Sequence, residues 1–127
     1  MSKEEALAQF RALASTDFIR CMQCGRCSAT CPMGQEMDVL PNKMVWYVIQ
    51  GEYDKLLSAN SPWKCLSCMA CANRCPRNVS PAHIMEAARL ECIRQQGKNK
   101  LSSDMAENYD PDMPQQALVA AFRKFIK

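Results

Sequence analysis

The alternation of apolar and polar positions lays out a chain of short helices separated by turns. Ser2 and Glu5 stand at the spacing of a capping box, and Ala6, Leu7, Phe10, Leu13 and Ala14 follow on one helical face. Ser15, Thr16 and Asp17 end that helix and turn the chain into Phe18 and Ile19. Residues 33–40 read as loop. Pro41 suits the first turn of a helix carried on by Val45, Trp46, Val48 and Ile49, and Gly51 is placed to close it in the left-handed conformation. The run 44–49 is rich in β-branched and aromatic residues and could pair as a strand, but the flanking proline and glycine favour a helix. A further short helix is expected over 52–59, with Asn60, Ser61 and Pro62 resetting the chain before Trp63. Ser80 reads as a cap and Pro81 as the start of a longer helix to about Gln96, with Ile84, Ala87, Ala88 and Ile93 as its inner face and Gly97 behind it. Residues 97–114 are polar with two prolines, the composition of a linker or extended arm. Residues 114–127 resume a helical period, with Ala117, Leu118, Ala121, Phe122 and Phe125 on one side and Gln115, Arg123, Lys124 and Lys127 around the other. The pattern divides into residues 1–97, carrying the chemistry, and 98–127, a polar arm and an amphipathic helix.

Size adds a constraint. A chain of 127 residues has little apolar core of its own, so a bound metal group would be part of the fold. The longest apolar run, 44–49, is far short of the roughly 20 residues that span a bilayer, so a soluble or peripheral protein is expected. The opening residues, Met1 to Glu5, carry no apolar signal core, which points to the cytoplasm.

Candidate chemistry comes from the cysteines. Cys21, Cys24, Cys27 and Cys31 are followed at once by Pro32, and the pattern returns 44 residues later as Cys65, Cys68, Cys71, Cys75 and Pro76. Three thiolates spaced three apart can wrap one corner of an iron-sulfur cubane, while a fourth, set off by three residues and followed by proline, points away. That run is characteristic of paired 4Fe-4S clusters, in which the fourth cysteine usually serves the other cluster. The spacing therefore predicts one cluster on Cys21, Cys24, Cys27 and Cys75, and a second on Cys65, Cys68, Cys71 and Cys31. Disulfides belong to exported chains. Structural zinc brings two separated CxxC pairs to one tetrahedral site, whereas here each run already crowds four sulfurs into eleven residues. Two clusters also alter the charge. The formal value of +3 counts the cysteines as neutral, and each cluster with its four thiolates adds about −2, taking the loaded protein to about −1. A nucleic-acid function loses its electrostatic support.

The 33 residues between Cys31 and Cys65 read as helices rather than the short strands of a small bacterial ferredoxin, so the fold class is all-α. Through CMQCGRCSATCP at 21–32 and WKCLSCMACANRCPRNVSP at 63–81, the chain resembles the α-helical ferredoxins and, among them, the family of heterodisulfide reductase C subunits. The resemblance covers roughly residues 15–96. It implies a protein that passes single electrons between a flavin-containing subunit and a subunit that reduces disulfides at unusual iron-sulfur clusters. Succinate dehydrogenase and fumarate reductase iron-sulfur subunits share the fold but carry a further cysteine group upstream, and no cysteine precedes Cys21. The paired-cysteine CCG motif of the disulfide-reducing partner is also absent.

Other residues invite weaker readings. Cys92 is expected to be an inert buried thiol, and His83 a solvated or capping side chain, since both sites already have four cysteines. Trp46 and Trp63 are expected to pack and exclude water rather than relay electrons. Met22, Met33, Met69 and Met85 are placed to pad irregular space around the clusters. Arg20, Arg26, Lys64, Arg74 and Arg77 flank the runs, where they offset cluster charge or are simply solvated. Two all-cysteine sites leave no open metal position, and no glycine-rich dinucleotide fingerprint is present. The expectation is a non-catalytic electron-transfer subunit. A free dicluster ferredoxin, a subunit of another oxidoreductase, and a structural zinc protein or nucleic-acid binder are the alternatives.

Overall fold

The computed structural model describes residues 2–93 and 110–123. Every regular element among them is helical. Helix α1, Lys3–Ala14, starts with the capping box: the Glu5 N–H donates to Ser2 Oγ and the Ser2 N–H to the Glu5 carboxylate. It ends at Ser15 in the left-handed conformation. A 3₁₀ turn, Phe18–Arg20, leads into the first cysteine run, whose end is the short helix α2, Arg26–Thr30. After a loop containing a second 3₁₀ turn, Gly34–Glu36, come α3, Pro41–Gln50, and α4, Tyr53–Ser58. Gly51 closes α3 at φ 73°, a conformation that costs glycine nothing, and its N–H bonds back to the last turn. Thus 44–49 is helix, and no strand forms there. Helix α5, Ser61–Lys64, is a single turn where a plain chain reset was expected. The second run ends in α6, Ala70–Arg74, and α7, Pro81–Ile93, follows.

Helix α7 is the centre of this unit, with α1, α3, α4, α5 and α6 all packed on it. Its buried residues, Ala82, Ile84, Met85, Ala87 and Ala88, include three alanines that let neighbouring helices approach closely. Phe10, Met44, Val48, Leu56 and Ile84 are wholly buried and form the core with them. Side chains of this size contribute roughly 1.5–3 kcal/mol each on burial. Two expectations for α7 fail at its ends. Ile93 is about half exposed, because the last turn runs past the elements that cover the core. The Ser80 hydroxyl is buried with no partner and does not cap the helix; the Ser80 carbonyl accepts the His83 N–H instead.

The repeat in the sequence is a repeat in space. Helices α2 and α6 lie 44 residues apart in the chain and pack on each other. The segment after each run is tied to the segment before the other. On one side Asp38 accepts hydrogen bonds from the Asn60 N–H and the Ser61 hydroxyl, and the Val39 N–H donates to Ser61 Oγ. Desolvation works to raise the Asp38 carboxyl, but these donors hold it below the ordinary carboxylate range. On the other side the Ser80 N–H donates to Thr16 Oγ1 at 3.0 Å. Thr16 and Asn60 are equivalent positions of the repeat.

The chain divides into two compact units, Met1–Ile93 and Arg94–Lys127. In the second, α8 spans Gln115–Phe122, with Leu118, Ala121 and Phe122 its half-buried residues. The expected arm over 97–109 and the end of the expected C-terminal stripe, including Phe125, lie outside the described residues. Among the described residues no helix is long and apolar enough to cross a membrane.

Candidate metal-cluster sites

Each cysteine run follows the same backbone course. Gln23 and Ser67, equivalent positions two residues after the first cysteine, both adopt φ of 55°. Gly25 and Met69, also equivalent, adopt φ of 78° and 61° and cap α2 and α6. Left-handed residues at alternate positions tighten each loop, and in each a backbone N–H turns back on the first cysteine. The Gln23 N–H lies 3.4 Å from Cys21 Sγ and the Ser67 N–H 3.4 Å from Cys65 Sγ. Helix hydrogen bonds repeat as well, Ala29 N–H to the Gly25 carbonyl and Asn73 N–H to the Met69 carbonyl, both at 3.0 Å.

The packing of α2 on α6 brings the eight cysteines around two cavities. One is lined by Cys21, Cys24, Cys27 and Cys75, with Pro76, Val79 and Pro81 beside them. The other is lined by Cys65, Cys68, Cys71 and Cys31, with Pro32, Pro41 and Pro81. Each cavity thus takes three sulfurs from one run and the fourth from the other, and Pro81 lies on the wall of both. The two cavities are alike in size, about 20 Å³ each. Among the described residues no three His, Cys, Asp or Glu side chains converge closely enough to hold a single metal ion. A ring of four separated sulfurs suits instead a group with four metal corners. The soft thiolate donor set is the one that iron-sulfur clusters use. On donor chemistry and placement, the residues fit a 4Fe-4S cluster at each site.

Burial differs within each ring. Cys24 and Cys68, equivalent positions, are exposed, so each cavity has one sulfur at the protein surface. Burial pushes the Cys27 and Cys71 thiols up from their ordinary value, with neighbouring hydrogen bonds opposing the shift. Bare thiols in these places resist ionisation, so a positively charged group would have to draw off their protons as it binds.

The expected methionine padding has a physical counterpart: Met22 lines the first cavity, and Met33, Met69 and Met85 line the second. Of the flanking cations, Arg26 and Arg77 line the first cavity. His83 is half-buried and lines neither. Three expectations need correction. Cys92 is exposed rather than buried, because it sits in the last turn of α7, where its Sγ lies 3.9 Å from the Leu57 carbonyl oxygen. Trp46 and Trp63 are 45% and 52% exposed and do not fill the core, since α3 and α5 turn those positions outward. Sequence reading also missed a polar network beside the first cavity. Ser28 and Asn42 hydrogen-bond each other twice, and the Gln23 side-chain amide donates to the Asn42 carbonyl at 2.9 Å and to Cys21 Sγ at 3.3 Å. Aligning the two runs could have found it, because Gln23 and Ser28 face Ser67 and Ala72 there.

The family model described as a 4Fe-4S dicluster domain matches residues 17–79. The C subunit of the ferredoxin:CoB-CoM heterodisulfide reductase of Methanosarcina acetivorans is 35% identical over 92 residues, which are 72% of this chain and 37% of that protein. A protein of Archaeoglobus profundus, named as like the heterodisulfide reductase C subunit, is 36% identical over 80 residues, 62% of this chain and 43% of that one. The C subunit of the H(2):CoB-CoM heterodisulfide,ferredoxin reductase of Methanothermobacter marburgensis is 28% identical over 91 residues, 72% of this chain and 49% of that one. The chain therefore spans less than half the length of each of these relatives.

Proposed function

We propose, from the match of residues 17–79 to the 4Fe-4S dicluster domain model and the likeness to heterodisulfide reductase C subunits, that the chain is an electron-carrying subunit of a heterodisulfide reductase-like complex. Cys21, Cys24, Cys27 and Cys75 would hold one cluster, and Cys65, Cys68, Cys71 and Cys31 the other. The observation that carries this reading is the pair of four-cysteine cavities, each completed by the opposite run. When bound, each cluster supplies a one-electron redox couple. The chain's own residues do the rest. Packing of α2 on α6 and the shared wall at Pro81 keep the two sites adjacent. Exposed Cys24 and Cys68 bring one edge of each site to the surface, where another protein can exchange an electron. All eight sulfurs are committed to ligation, so no position is left for a substrate, and disulfide reduction falls to a partner.

In this reading a flavin-containing subunit and a disulfide-reducing subunit stand on either side of the chain in the cytoplasm. Helix α8 would dock on a partner, and deleting 114–127 should weaken assembly without loss of iron. Iron and sulfide analysis with EPR of the dithionite-reduced protein tests the cofactor assignment. About eight irons and eight sulfides per chain are expected from two cubanes; a zinc-loaded, EPR-silent protein would overturn it. Purification of the native protein tests the partners, which should copurify as flavin-containing and disulfide-reducing subunits. The isolated chain should accept electrons from dithionite yet turn over no disulfide.

A further inference from the structure

The two cavities share a backbone and a size but not a lining. At the Cys21 site the Gln23 side chain donates to Cys21 Sγ, held in place by Asn42, whose backbone carbonyl accepts from the Gln23 amide and whose side-chain amide donates to Gln23 Oε1 at 3.4 Å. Ser28 fixes Asn42 in turn. The Val79 N–H adds a donor to Cys75 Sγ at 3.3 Å, and the Arg26 and Arg77 side chains line the cavity. The repeat removes each side-chain feature from the Cys65 site. Ser67 stands at the Gln23 position, Ala72 at Ser28, Ala70 at Arg26 and Met33 at Arg77. That cavity is lined by Met33, Met37, Leu66, Met69, Ala82 and Met85, with no charged side chain among the described residues on its wall. Backbone donors serve both sites, including the Ala82 and Ala72 N–H groups at Cys71. One cation approaches the Cys65 site at a remove: Arg89 donates to Ser67 Oγ at 2.8 Å and does not line the cavity.

Adding an electron to a cluster adds a negative charge. Hydrogen bonds to the sulfurs and nearby guanidinium groups stabilise that charge, whereas an apolar lining penalises it. We infer that the two sites are unequal electron carriers, the Cys21 site having the higher reduction potential through the Ser28–Asn42–Gln23 network, so that an electron arriving at the Cys65 site moves on to the Cys21 site and rests there. The transfer oxidises one site by one electron and reduces the other by one, and needs no proton or further reagent. The inference rests on the two-cluster reading proposed above. It makes Gln23 a positioning residue that tunes the site without ligating iron.

The test is an EPR-monitored potentiometric titration of the holoprotein, with Cys24→Ser and Cys68→Ser variants assigning each signal to its site. Two midpoints are expected, the higher at the Cys21 site, separated by at least a tenfold bias in the one-electron equilibrium, about 59 mV. Gln23→Asn tolerates the left-handed backbone but is too short to keep the sulfur contact, and should lower the Cys21-site midpoint while leaving the other in place. Asn42→Ala keeps the backbone carbonyl that accepts from the Gln23 amide and removes only the side-chain contacts to Gln23 Oε1 and Ser28, so it should shift the same midpoint in the same direction by less than Gln23→Asn. Equal midpoints in the parent, a higher midpoint at the Cys65 site, or variants that move neither signal would overturn the inference while leaving two clusters established. A protein that takes up no iron would instead overturn the cofactor reading beneath it.

Discussion

The loops at 21–32 and 65–76 make the same structure from different residues. Both place left-handed residues at the same two positions and both end in a short helix before proline. Yet one left-handed position is Gly25 and the other Met69, and one loop is backed by an amide network and two arginines where the other is backed by methionines. The difference separates two layers of information. Cysteine spacing and the proline dictate where four sulfurs go, and the intervening residues are then free to set the polarity around them. The joins between the halves diverge in the same manner. Ser61 is fully buried and bonded to both Asp38 and the Val39 backbone, while among the described residues its counterpart join shows one hydrogen bond, Ser80 N–H to Thr16 Oγ1.

Removing iron should erase the comparison altogether. With cross-ligation fastening each run to the other as proposed, chelation under reducing conditions should collapse most of the helical circular dichroism of the 2–93 unit; an unchanged spectrum would show that the apolar core suffices. Smaller effects should tell the halves apart. Ser61→Ala leaves the half-buried Val39 N–H without its acceptor and removes a donor to Asp38, and should cost about 1–3 kcal/mol in denaturant unfolding of the holoprotein. Gly25→Ala meets no steric neighbour, so its cost is the backbone strain of φ 78° alone, about 1–2 kcal/mol. Met69 already bears that strain at φ 61°, and Met69→Gly should relieve it while thinning the apolar wall of the second cavity. Thr16→Val removes one acceptor for the Ser80 N–H and should cost the least, about 0.5–1.5 kcal/mol. Equal losses for Ser61→Ala and Thr16→Val would show that the two joins contribute alike.

What could be read from the sequence was local. The Ser2–Glu5 box, Pro41 at a helix start and Gly51 at its end act over four or five residues, and each produces its element. The all-α class followed from the helical pattern between the runs. The failures lie where tertiary context decides. Ile93 and Cys92 fit the period of α7 but fall beyond the elements that would bury them. Trp46 and Trp63 are large and apolar, yet their helices present them to the surface. Ser61 looked like part of a turn and is a buried hydrogen-bonding hub, because its partners Asp38 and Val39 lie 23 and 22 residues away. The Gln23–Asn42 pairing, 19 residues apart, was hidden for the same reason.

The central claim is that each cluster takes its fourth sulfur from the opposite run. Cys75→Ser tests it most directly, read by EPR of the reduced holoprotein. Cys75 lines the cavity of Cys21, Cys24 and Cys27, so the variant should alter or abolish the signal of that cluster and spare the primary ligands of the other. Damage confined to the cluster on Cys65, Cys68 and Cys71 would contradict the account.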